Sequence, residues 1–207
     1  MELNNLLEKH FKKGFSYAHY LNEVETLISQ NKTSGAIQND LMVNYTILAE
    51  RRMRRWNKVL SIDSLTQEYF HQLEPKLKIL IITEAWCGDA SHLVPVFHRL
   101  GSINQNFEVK LTYRDENPEL MSHFLTNNAK SIPIMIVMDE AYNFLFSWGP
   151  RPIQMQKRVM DYKNKPDRSY EDFLNEVQVW YNQDKGKSAI EEIKQTFEKF
   201  LVAVPVN

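Results

Sequence analysis

Apolar positions in the first 75 residues recur every three or four places, the spacing that puts them on one helix face. Tyr17, Leu21, Val24, Leu27 and Ile28 form one such face, and Ser34-Gly35 interrupts it. A longer helix is predicted over about residues 37–60, with Leu41, Tyr45, Leu48, Met53 and Trp56 near one stripe. Asp63 or Ser64 is suited to cap a third helix carrying Leu65, Tyr69, Phe70 and Leu73, which Pro75 closes.

The pattern changes at Lys76. Residues 78–83 are a short apolar run, predicted as a buried strand. Residues 91–100 return to helical spacing, with Pro95 inside the helix as an expected kink. Residues 107–113 alternate as a strand does, and Asn117-Pro118-Glu119 opens another helix with proline in a tolerated first-turn place. Residues 133–138 and 143–148 are predicted strands joined by a turn at 139–142, hence a hairpin. Helices are predicted again at about 153–162, 170–182 and 187–204, with polar breaks at 163–167 and 183–187. The middle of the chain therefore reads strand–helix–strand–helix–strand–strand–helix. That order implies an α/β fold, a central mixed sheet flanked by helices. The expected division is an N-terminal helical extension (1–75), the α/β core (76–165) and C-terminal helices (166–207), packed as one compact structural domain.

Composition adds bounds rather than identity. With 43% hydrophobic and 12% aromatic residues, the 207-residue chain has enough apolar material for a core. A net charge of −1 gives no overall electrostatic case for nucleic acid or a membrane surface. The apolar runs are too short to span a bilayer. Met1-Glu2-Leu3-Asn4-Asn5 lacks a basic region followed by an apolar stretch, so the expectation is a soluble, cytoplasmic protein. A single cysteine excludes an internal disulfide, and no Cys/His group has zinc spacing. No cofactor and no metal are expected.

That one cysteine stands in Trp86-Cys87-Gly88-Asp89-Ala90, between the 78–83 strand and the 91–100 helix. Backbone N–H groups and the positive end of the helix dipole favour a thiolate at such a place. Ser91 and His92, on the following helix, are positioned in sequence to tune it.

Residues 76 to about 165 resemble the thioredoxin family. Trp86-Cys87-Gly88 stands where that family has Trp-Cys-Gly-Pro-Cys, and Pro95 follows Cys87 by eight positions, as in the family's active-site helix. Asp115-Glu116-Asn117-Pro118 matches its strand-to-helix turn. Ser131-Ile132-Pro133 matches the Ile-Pro whose proline is cis and faces the active-site sulfur. The likeness is strongest to the branch with Trp-Cys-Gly-Asp motifs and helical extensions, and it implies a thioredoxin-like fold with Cys87 as nucleophile. Trp86, Gly88, Asp89, Ile132 and Pro133 would contact a substrate or partner. The departures bear on mechanism. Ala90 replaces the resolving cysteine, so one chain alone cannot release a mixed disulfide. Asp89 replaces the intervening proline, and its carboxylate would raise the thiol pKa. The family's buried aspartate and its companion lysine correspond to Ile81 and Leu111, so the usual proton-moving pair is gone.

Two readings follow. In the first, Cys87 is a monothiol that attacks a protein or small-molecule disulfide, or is oxidised, and a second molecule's thiol completes the cycle. In the second, the chain is a redox-inactive thioredoxin-fold module that binds a protein or peptide. A buried thiol of normal or raised pKa favours the second; an exposed, acidic thiol favours the first. A glutathione cradle is not recognisable: the loop is Ser131-Ile132-Pro133, and no glycine occurs between Gly101 and Gly149. Glu84, Asp89, His92 and His98 near Cys87 lack the spacing of a catalytic triad or metal site. The basic run Arg51 to Lys58 is read as a solvated helix face, and Trp148-Gly149-Pro150-Arg151-Pro152 as the end of the hairpin packing on the extension. Ile190, Ile193, Phe197, Phe200 and Leu201 form a last apolar stripe, read as core or as a homodimer seam.

Overall fold

The structure, a computed structural model, describes residues 2–164 and 169–201. Four helices come first: α1 (Leu3–Lys13), α2 (Tyr17–Ser29), α3 (Asp40–Val59) and α4 (Ser64–His71). The core follows as β1 (Leu77–Thr83), α5 (Ala90–Gly101), β2 (Phe107–Tyr113), α6 (Pro118–Ser122), β3 (Ile134–Asp139) and β4 (Phe144–Trp148). Helices α7 (Ile153–Lys163), α8 (Tyr170–Asp184) and α9 (Lys187–Leu201) complete the described chain. The ends of two sequence-based expectations, the break at 163–167 and the helix to 204, fall outside the described residues.

The sheet order is β2-β1-β3-β4. β1 runs parallel to β2 through α5 and antiparallel to β3, and β3 pairs with β4 as the predicted hairpin. Helices cover both faces, which is why the central strands β1 and β3 are near-continuous apolar runs, interrupted inside only at Lys78, rather than alternating. The outer edge of β2 is partly closed by Phe15, which exchanges both backbone hydrogen bonds with Leu111 (3.0 and 2.8 Å). Over one face of the sheet, α9 brings Phe197 and Phe200 onto Phe146, at centroid distances of 4.9 and 5.2 Å.

Side-chain caps set several helix starts: Ser16 accepts from the His19 N–H, Asn39 from Met42 and Asp63 from Thr66. Asp63, not Ser64, is thus the cap of α4. The buried face of α3 also differs from the predicted stripe. Val43, Thr46, Ala49, Met53 and Trp56 face inward, whereas Leu41 and Leu48 are 57% and 41% exposed. The small residues Thr46 and Ala49 let α3 approach its neighbours closely, and the Thr46 hydroxyl lies 2.6 Å from that of Thr33. Larger Leu41 and Leu48 are rotated outward. Among the described residues no helix is long and apolar enough to cross a membrane.

Candidate functional site

β1 ends at Thr83, Glu84 follows it, and the chain turns through Trp86-Cys87-Gly88-Asp89 into α5. The Cys87 N–H donates to the Glu84 carbonyl (3.3 Å) and the Cys87 carbonyl accepts from Ser91 N–H (3.1 Å), so the turn is closed at both ends. The Ile132–Pro133 bond is cis, as expected, and brings the Ile132 carbonyl beside the sulfur. Gly149–Pro150 is also cis, which the sequence reading did not anticipate.

Cys87 is 7% exposed. Its thiol donates to the Ile132 carbonyl at 3.5 Å and accepts from the Ala90 N–H at 3.4 Å. Burial pushes its pKa up to about 12, and the Asp89 carboxylate adds to the rise. The Ala90 N–H and the Arg151 cation oppose it but do not win. Ile132 and Pro133 are buried as well, while Trp86 and Gly88 are only half-buried.

Asp89 is not solvated. One of its carboxylate oxygens accepts from Arg151 Nε (2.8 Å) and lies 2.7 Å from Nη2; the other accepts from the Tyr181 hydroxyl (2.7 Å). Arg151 comes from the β4–α7 connection and Tyr181 from α8. The carboxylate that replaces the family's proline therefore fastens the C-terminal extension to the start of α5.

His92 does the same one turn further on. Trp56 Nε1–H of α3 donates to its Nδ1 (2.6 Å), which leaves Nε2–H to donate to Gln178 of α8 (2.8 Å). Its ring stacks on Tyr181 at 4.3 Å. Burial lowers its pKa to about 4, so the ring is neutral. Ser91 donates to the Gly88 carbonyl at 2.5 Å. Neither residue hydrogen-bonds the sulfur.

On the other side of the turn Glu84 is fully buried. Its carboxyl meets the Ser34 hydroxyl and accepts from the Asp115 N–H (2.8 Å), while Ser34 Oγ also accepts from the Ala85 N–H (2.8 Å). Burial raises the Glu84 pKa to about 7. Gly35, at φ +81°, passes so close to the Asp115 carboxylate that a Cβ would lie 2.7 Å from it. The Ser34-Gly35 break is thus a clasp holding the N-terminal extension to the turn. Arg114 covers the Trp86 ring, 4.8 Å from its centroid.

The four groups adjacent to Cys87 in sequence are parted by the fold: Glu84 faces Ser34, Asp89 faces Arg151, His92 lies between Trp56 and Gln178, and His98 stacks on Tyr17. Among the described residues no group of three or more His, Cys, Asp or Glu side chains is arranged to hold a metal. Ser34, Arg151 and Tyr181 are the structural partners that sequence reasoning missed. Arg151 stood in a noted segment, but nothing in the sequence paired it with Asp89.

The sheet order, the turn into α5 and the cis bond beside the sulfur define a thioredoxin-type α/β fold carrying helical extensions. The thioredoxin family model matches residues 35–165, and the chain belongs to that family. Two solved structures share the fold at 17% identity and a TM-score of 0.62. One is a crystallised HIV epitope scaffold, the match covering 93% of this chain and 97% of that one. The other is a Pseudomonas aeruginosa protein of unknown function, with 91% and 95% covered. No curated protein matches the chain.

Proposed function

We propose that the protein is a thioredoxin-family binding module in which Cys87 holds the turn together and does not turn over. The observation that carries this reading is the buried thiol, engaged with the Ile132 carbonyl and with its pKa pushed up to about 12. A thiol in that state is almost wholly protonated at neutral pH, and the thiolate is the nucleophile. Ala90 in place of a resolving cysteine agrees with it. Trp86 and Gly88 are the accessible part of the binding surface. Ile132 and Pro133 form its buried floor, and Asp89 acts through the Arg151 side chain it holds.

The test is the pH dependence of Cys87 alkylation in the folded protein, with the unfolded chain as reference. The expected result is no appreciable reaction until unfolding, or a midpoint well above the free-thiol value of about 8.5. Fast reaction with a midpoint well below that value would overturn the reading. It would return Cys87 to monothiol chemistry, in which the thiolate attacks a disulfide and a second molecule's thiol resolves the product.

A further inference from the structure

α3 has two faces. Beside the face of the helix that buries Met53 and Trp56, Leu41, Tyr45, Leu48, Arg52, Arg55 and Val59 recur at alternating intervals of four and three. That spacing makes one continuous stripe. Leu41 and Leu48 are exposed, and so is Val59, at 59%. Arg52 lies against the Cys87 turn: a Cβ on Gly88 would sit 3.8 Å from its Nη1. At Arg52 the stripe therefore borders the half-buried Gly88.

Its charges are not balanced. Asp89, the carboxylate nearest Arg52 along the turn, is occupied by Arg151 and Tyr181. Among the described residues no side chain hydrogen-bonds or ion-pairs with Arg52, and Arg55 meets only the neutral Asn182 amide, at 2.5 Å. Arg54, off the stripe, is by contrast paired with Glu50. The Asp89 charge also acts on Arg52, so Arg52 and Arg151 share one carboxylate, while Arg55 meets only an amide; this cationic excess beside exposed leucines matches a ligand that carries both acidic and apolar groups. The distance from Leu41 to Arg55 is about 21 Å along the helix, the reach of about six residues of extended chain.

We infer that the α3 stripe beside Gly88 docks an extended acidic–apolar segment of a partner protein, its carboxylates on Arg52 and Arg55 and its apolar side chains on Leu41 and Leu48. This inference rests on the binding-module reading and names its partner class. A carboxylate on a half-buried guanidinium is the stronger of the two contacts, since arginines of this kind dominate binding energy.

The test is selection from a random decapeptide library on the intact protein, followed by fluorescence anisotropy with the selected peptides. Enrichment of Asp and Glu interspersed with Leu, Ile or Val is expected, with binding that weakens as salt rises. Arg52→Ala should weaken it about tenfold, and the exposed variants Arg55→Ala and Leu48→Asp should each weaken it while the far-UV spectrum and unfolding midpoint stay unchanged. No enrichment, enrichment of basic peptides, or binding indifferent to all three variants would overturn the inference. So would self-association that Leu48→Asp abolishes, because a second copy would then be the occupant. Cys87 alkylation reads the underlying function separately. An acidic, reactive thiol together with arginine-dependent acidic peptides would overturn the module and leave the charge preference standing as substrate recognition.

Discussion

The Ala90 N–H lies 3.4 Å from the Cys87 sulfur and Arg151 adds a positive charge nearby, and both favour a thiolate. Removal of the sulfur from water acts the other way and is the larger effect. Asp89 reinforces it while meeting a need of its own, the pairing of Arg151. Its carboxylate and that guanidinium are only 12% and 18% exposed, so truncating one strands the other. Asp89→Ala is expected to cost about 3 kcal/mol in urea unfolding, the range for breaking a buried pair. Glu84 and His92 give opposite pH dependences. Glu84, raised to about 7 from 4.5, holds its proton in the folded state, so its contribution is complete below pH 4.5 and is lost as pH rises through 7. His92, lowered to about 4 from 6.5, refuses a proton that the unfolded chain accepts, so stability is lost as pH falls from 6.5 to 4. Between pH 4.5 and 6.5 the two offset. Glu84→Gln, which keeps an acceptor and a donor but cannot ionise, removes one of them. Its stability relative to the parent is expected to increase by about 3 kcal/mol between pH 4.5 and 8, read from urea midpoints.

At the scale of elements, α5 is the piece that everything else fixes. α3 reaches it through Trp56 and His92, α8 through Gln178 and Tyr181, and the β4–α7 connection through Arg151. α9 has a different task, packing across one face of the sheet. Phe197 meets Phe70, Phe107 and Phe146 within about 6 Å, so it joins α4, β2 and β4 at one point. Phe197→Ala is expected to destabilise the fold by about 3–5 kcal/mol in denaturant unfolding, the range for a large aromatic removed from a core. The apolar stripe that the sequence offered as core or homodimer seam is, at Ile190, Ile193 and Phe197, core. Phe200 stands at its margin, 38% exposed and stacked on Phe146.

At the scale of the whole molecule, both ends of the chain close over one turn. Ser34 clasps it from the N-terminal side and Arg151 with Tyr181 from the C-terminal side. Exposure of Cys87 therefore requires opening elements that also carry the global stability. Alkylation of Cys87 at neutral pH is expected to rise with urea in parallel with global unfolding. Phe197→Ala, remote from the sulfur, should speed it by about the factor by which it raises the unfolded fraction, measured by mass spectrometry after timed quenching. Alkylation of the parent that is independent of urea would mean instead that the turn opens locally.

The order of strands and helices, the mixed sheet, the hairpin, the turn at Cys87 and the cis bond at Pro133 were legible in the sequence. The elements rest on periodicity and on proline and glycine placement, all local quantities, while the cis bond at Pro133 was implied by the resemblance of Ser131-Ile132-Pro133 to the thioredoxin family. The inward face of α3 was not legible, because Leu41, Tyr45 and Leu48 have the same spacing as a core stripe. Only the close approach allowed by Thr46 and Ala49 turned them outward. The state of the thiol was not legible either. The helix start that favours a thiolate is written in adjacent residues, whereas the burial that overrides it needs residues distant in sequence, Ile132 among them, 45 positions from Cys87. Periodicity fixes which elements form, and it carries no term for which of their faces meet. Desolvation of a sulfur is set by those meetings, so tertiary structure alone decided it.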